Sequence, residues 1–85
     1  MMNHDRSTVN FIKSELELSI AFLRAARRER NEGSIAAAER AEEVAKEAYD
    51  NAERFLPRVK DCIPVRDDHQ IAESKAILQQ LIASQ

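Results

Sequence analysis

Ala38, Ala41, Ala45, Ala48 and Ala52 follow one another at alternating spacings of three and four, and Phe55, Val59 and Cys62 continue the rhythm. That alternation places side chains on a single stripe winding slowly round an α-helix. Alanine leaves the stripe shallow, so a neighbouring helix can approach closely and pack along it. The chain is therefore bound to a helical architecture with at least one tight helix–helix seam. The stripe says nothing about chemistry.

Composition narrows the alternatives. With one glycine and two prolines the chain is poorly supplied with the turn residues a hairpin-rich sheet protein needs. Its 85 residues make one domain, and a domain of that size buries only about 60–65% of its unfolded surface. Thirteen basic against 15 acidic residues, net charge −2, is no footprint for nucleic acid, whose partners bring basic surface to the phosphates. Cys62 is the single cysteine and can form no internal disulfide, so a cytoplasmic setting is expected. The first residues are polar and carry no apolar signal region. No apolar run approaches the roughly 18 residues of a membrane span.

Three helices are expected. Residues 1–7 read as a frayed, disordered tail, and residues 8–85 as a single helical domain. Ser7 or Thr8 offers a hydroxyl N-cap to a first helix over about 8–31, whose main stripe is Val9, Ile12, Leu16, Ile20 and Leu23. Arg27, Arg28 and Arg30 suit the negative end of its dipole. Gly33 then stands where a positive φ is wanted. Ser34 caps the second helix, over about 35–56, and so short a link forces the two helices antiparallel and adjacent. Pro57 stops or kinks that helix, although Val59, Cys62 and Ile63 keep helical spacing beyond it. Asp67 caps a third helix over about 68–83, with Ile71, Leu78, Leu81 and Ile82, helped by Ala72 and Ile77, on its apolar face. The expectation is an all-α, three-helix bundle built on a long antiparallel hairpin.

The first helix carries more apolar surface than one interface requires. At about 100° per residue, Phe11, Leu18, Phe22 and Ala25 cluster roughly 130° from its main stripe. Two readings stand. Either this helix is the middle of the bundle, touching one neighbour on each side, or the second sector is an exposed strip that binds a partner helix or another copy of the chain.

Gly33, Ser34, Ile35, Ala38 and Ala45, with Phe22 ahead of them, fall on the turn and small-residue positions of a helical hairpin. Over residues 22–46 the segment resembles a tetratricopeptide-type hairpin. It departs from that pattern at Glu29 and Glu42, where the family carries aromatic residues. One hairpin plus a third helix, with a long second helix, is also similar to the microtubule-interacting-and-transport type of three-helix domain. Either resemblance implies helix-in-groove peptide recognition.

The chemistry-bearing residues are few. Arg24, Arg27 and Arg28 form a basic group that Glu39, Glu42, Glu43 and Glu47 of an antiparallel neighbour can answer, at about 0–1 kcal/mol per surface pair. Asp67, Asp68, His69 and Glu73 are the nearest approach to a ligand cluster, with His69 and Glu73 one turn apart. Asp67 is already accounted for as a cap, and a di-iron bundle needs Glu-x-x-His pairs that are missing here. One glycine makes no phosphate-cradling loop, and Cys62 on the apolar rhythm reads as a packing residue more than a thiol activated by Arg58 and Lys60. The expected function is a non-enzymatic protein-interaction module without cofactor or metal. It partners itself as a homodimer or docks an amphipathic helix through Phe11, Leu18, Phe22 and Ala25. The competing expectation is a ligand-binding or catalytic domain using the Asp67–Glu73 region.

Overall fold

A computed structural model describes residues 2–83, with side chains from Arg6 onward. Its three helices are α1 (Met2–Asn31), α2 (Ile35–Val59) and α3 (Val65–Ala83), and no strand occurs among the described residues. The chain is an all-α three-helix bundle, up-down-up, 48 Å along its longest axis and 18 by 14 Å across. No helix is long and apolar enough to cross a membrane.

The seam packs as the alanine spacing requires. Ala38, Ala45, Ala48 and Ala52 are fully buried and Ala41 nearly so. Ala45 and Ala52 pack with Val9, Ile12, Leu16, Ile20 and Leu23 of the main α1 stripe, and Ala38 and Ala41 with Ala26. Ser19 is the buried polar residue on this contact. Its hydroxyl donates to the Ala45 carbonyl at 2.8 Å, which is possible only where two helix backbones nearly touch. Composition gave no sign of it. Its signal was positional: serine on the buried arc of α1, opposite an alanine.

The connection between α1 and α2 closes as a Schellman motif. Ser34 N–H donates to the Glu29 carbonyl at 2.8 Å and Gly33 N–H to the Arg30 carbonyl at 3.1 Å, with Gly33 at φ +85°. Ser34 holds the N-cap position of α2, where its carbonyl accepts from Ala38 N–H at 3.0 Å. Its hydroxyl makes no capping bond.

Three boundaries differ from expectation. Helix α1 starts at Met2, so Ser7 and Thr8 lie inside it rather than at its cap. No glycine or proline interrupts the preceding residues, and helix propagates freely through them. Of the expected tail over 1–7, Met1 lies outside the described residues, and residues 2–7 are the first turns of α1. Helix α2 passes Pro57 and ends at Val59. A proline there deprives only the Glu53 carbonyl of its donor, and burial of Val59 at 2% exposure holds the last turn.

Beyond Val59 the chain turns, with Cys62 N–H on the Val59 carbonyl at 2.8 Å. Helical phase is lost, and Cys62 is exposed rather than packed. Helix α3 starts at Val65, its first bond running from Asp68 N–H to the Pro64 carbonyl. Asp67 is thus in the first turn and not the cap. Its carboxylate favours that end of the dipole and pairs with Lys13 Nζ at 2.9 Å.

Helix α3 lies on α1, buried through Ile71 and Leu78. No Cα atoms of α2 and α3 come within 8 Å of each other among the described residues. A side-chain bridge spans that gap, Lys75 Nζ to Glu53 Oε1 at 2.9 Å. Ile82 is 56% exposed and Ala72 is also exposed, because α3 packs closely on α1 and meets α2 through side chains, which needs a narrower apolar stripe than three-way packing would.

Candidate interaction face

Cross-helix contacts orient α1 unambiguously. Lys13 reaches α3 through Asp67. Ser19, Arg30 and Phe11 reach α2 through Ala45, Glu42 and Phe55. At about 100° per residue, Leu18 and Phe11 stand some 140–160° round the helix from Lys13. The strip of Phe11, Leu18, Phe22 and Ala25 therefore lies on the side of the hairpin facing away from α3, which covers the main stripe instead.

The strip is only partly covered. Phe11 is 40% and Leu18 42% exposed, while Phe22 and Ala25 are half-buried. Phe22 packs against both apolar clusters: the main core, and the smaller one of Ala26, Ala38 and Ala41 near the turn. Ala37, Val44 and Phe55 of α2 are half-buried beside it and widen the strip into a two-helix face. The sequence signal for Val44 and Ala37 is their angular place one step round α2 from the alanine seam. At one end the Phe11 and Phe55 rings meet edge to face, 5.4 Å between centroids and 83° between planes. The Arg58 guanidinium lies 4.7 Å over the Phe55 ring.

Charged residues border this face. Glu17, Arg24 and Arg28 are exposed on the side of α1 turned away from α2, between Lys13 and the apolar strip, and Arg40 and Glu47 are exposed on α2. Pairing with the α2 glutamates was expected of Arg24, Arg27 and Arg28; the bidentate contact on Glu42 comes instead from Arg30, with bonds of 2.7 and 3.0 Å. Glu42 and Glu39 together raise the Arg30 guanidinium further above its ordinary value, the hydrogen bond to Glu42 leading.

Two other places gather polar side chains. Asp67 is committed to Lys13, and His69 and Glu73 are exposed. Among the described residues no group of three or more His, Cys, Asp or Glu side chains is placed to hold a metal ion. A cleft of about 400 Å³ opens between α2 and the end of α3. Leu23, Ala45, Tyr49 and Ile82 line it with Ser19, and Glu42, Lys46 and Asp50 stand at its rim.

Beside this cleft Tyr49, Glu53 and Lys75 form a small network. The hydrogen bond from Lys75 holds the Glu53 carboxyl below the usual range and lifts Lys75 above its own. Burial, then the hydrogen bond to Glu53, raises the Tyr49 hydroxyl. The network ties α3 to α2.

Comparison with protein-family models found no match. Comparison with curated proteins and with solved structures found none either.

Proposed function

We propose that this chain is a helical protein-interaction module working through the face formed by Phe11, Leu18, Phe22 and Ala25 of α1 and Ala37, Val44 and Phe55 of α2. One observation carries the reading: two large apolar side chains, Phe11 at 40% and Leu18 at 42%, are held open in a row on a rigid helix. A chain of this size has little apolar surface to spare, and large side chains held open at helical spacing mark a partner site. The occupant is a second copy or an amphipathic helix, in keeping with the helix-in-groove recognition that the tetratricopeptide-type and microtubule-interacting-and-transport-type resemblances imply.

The reading is non-catalytic and needs no cofactor. It also carries a cytosolic setting, since the exposed thiol of Cys62 persists reduced there. No specific observation favours a ligand site at Asp67–Glu73.

The test is the double change Leu18→Glu with Phe22→Glu. Association should be lost by light scattering after size exclusion, while circular dichroism retains most of the helix content. Collapse of the helix signal would instead make both residues internal core and end the proposal.

A further inference from the structure

We infer that the occupant of this face is a second copy of the chain, set antiparallel, α1 on α1 and α2 on α2, about a two-fold axis near Phe22 and Val44. This rests on the interaction-module reading and names its partner.

Two patterns on the face reverse about that one centre. The first is bulk. Along the strip of α1, Phe11 and Leu18 lie on one side of the centre and Ala25 on the other. Turning a second α1 end for end sets Leu18 against Ala25 of the second copy, large on small, which lets the backbones close. The second pattern is charge. The outer edge of α1 runs from Glu17 to Arg24 and Arg28, all exposed and none in an ion pair within the chain among the described residues. The same rotation brings Glu17 to the level between Arg24 and Arg28 of the second copy, on the same flank of the paired helices, twice by symmetry.

Helix α2 obeys the same centre. Its register on α1 is fixed where Ser19 meets Ala45, Glu15 meets Asn51 and Phe11 meets Phe55. Residues 21 and 22 of α1 are therefore level with residues 43–45 of α2. A rotation about that level carries exposed Arg40 onto exposed Glu47 of the second copy.

The alternative two-fold, along the helices, lays α1 on α2 of the second copy. It would set Glu17 level with Glu47 and Arg24 level with Arg40, like on like, which is unfavourable. Parallel stacking of α1 on α1 would likewise put Arg24 on Arg24. Antiparallel order is the arrangement that satisfies both helices.

Sedimentation equilibrium of the whole chain should give a dimer. Glu17→Arg with Glu47→Arg should give monomers, and so should Arg24→Glu with Arg28→Glu and Arg40→Glu. An equimolar mixture of the two variants should restore the dimer, since every cross-pair is then opposite in sign. Spin labels on native Cys62 should lie on the order of 50 Å apart, because antiparallel order puts the two thiols at opposite ends at 1.5 Å per residue.

Failure of the mixture to associate, or a label separation below about half that distance, would overturn the antiparallel two-fold. A native chain that stays monomeric at high concentration would overturn the second copy. In that event Leu18→Glu separates the two failures. An unchanged melting temperature leaves the face open to another helix, whereas unfolding removes the interaction reading as well.

Discussion

Gly33 shows how much one residue can decide. Its φ of +85° belongs to the left-handed region, and a Cβ built there meets no atom within 4 Å. Substitution would therefore cost backbone strain alone, without a clash. Gly33→Ala should destabilise by about 1–2 kcal/mol in urea unfolding, with Gly33→Asn costing less because its side chain tolerates that conformation. Equal losses for the two would point to packing and not to φ. Ser19 makes the complementary point. Nothing about its type marks it as core, and its hydrogen bond to the Ala45 carbonyl exists only because α2 comes close enough to receive it.

At the scale of the element, the seam of α2 sets the spacing of the hairpin. Ala45 is 1% exposed with Ser19 directly across it, so no space remains for a larger side chain. Ala45→Leu should cost about 1–3 kcal/mol by overpacking, and more if the Ser19 bond is lost with it. Chemical denaturation reads this directly, and a neutral result would place the seam in solvent. Pro57 illustrates the opposite balance. Proline removes one backbone hydrogen bond and crowds the carbonyl four residues back, and burial of Val59 at 2% exposure outweighs that loss in the last turn. The alanine rhythm could be read from spacing, but the end of α2 could not, because it depends on what Val59 packs against.

The whole molecule is asymmetric: a tight hairpin, with α3 laid on α1 and joined to α2 through side chains. The Lys75–Glu53 ion pair spans that gap at 2.9 Å, so docking of α3 should respond to pH. Glu53 titrates below its ordinary carboxyl value of 4.5. Its contribution is present above that value and is lost as pH falls through the lowered one. Lys75 and Tyr49 are both raised. Their contributions are present below 10.5 and 10.0 respectively and are lost as pH rises through the raised values. Amide exchange in α3 should therefore accelerate below about pH 4.5 and above about pH 10 relative to the α1–α2 seam. The pair is partly exposed, so the effect is modest and salt-sensitive. A pH-independent ratio across that range would mean that the pair does not hold α3.

The sequence by itself determined the elements that depend on local chemistry. These are the alanine stripe of α2, the buried stripe of α1 from Val9 to Leu23, the left-handed glycine between them and the existence of three helices. Each follows from periodicity or from the conformational range of a single residue, which the chain carries wherever it folds. Placement was decided by the tertiary structure alone. The sequence left two roles open for Phe11, Leu18, Phe22 and Ala25, because a helix wheel shows that a second apolar face exists but not which neighbour takes it. Only the landing of α3 beside Lys13, through Asp67, left that face open on the far side of the hairpin. The same landing drew Asp67 into the first turn of α3 and away from the capping role its residue type suggested. Long-range contacts of this kind depend on residues far apart in the chain, and local pattern holds no record of which of them meet.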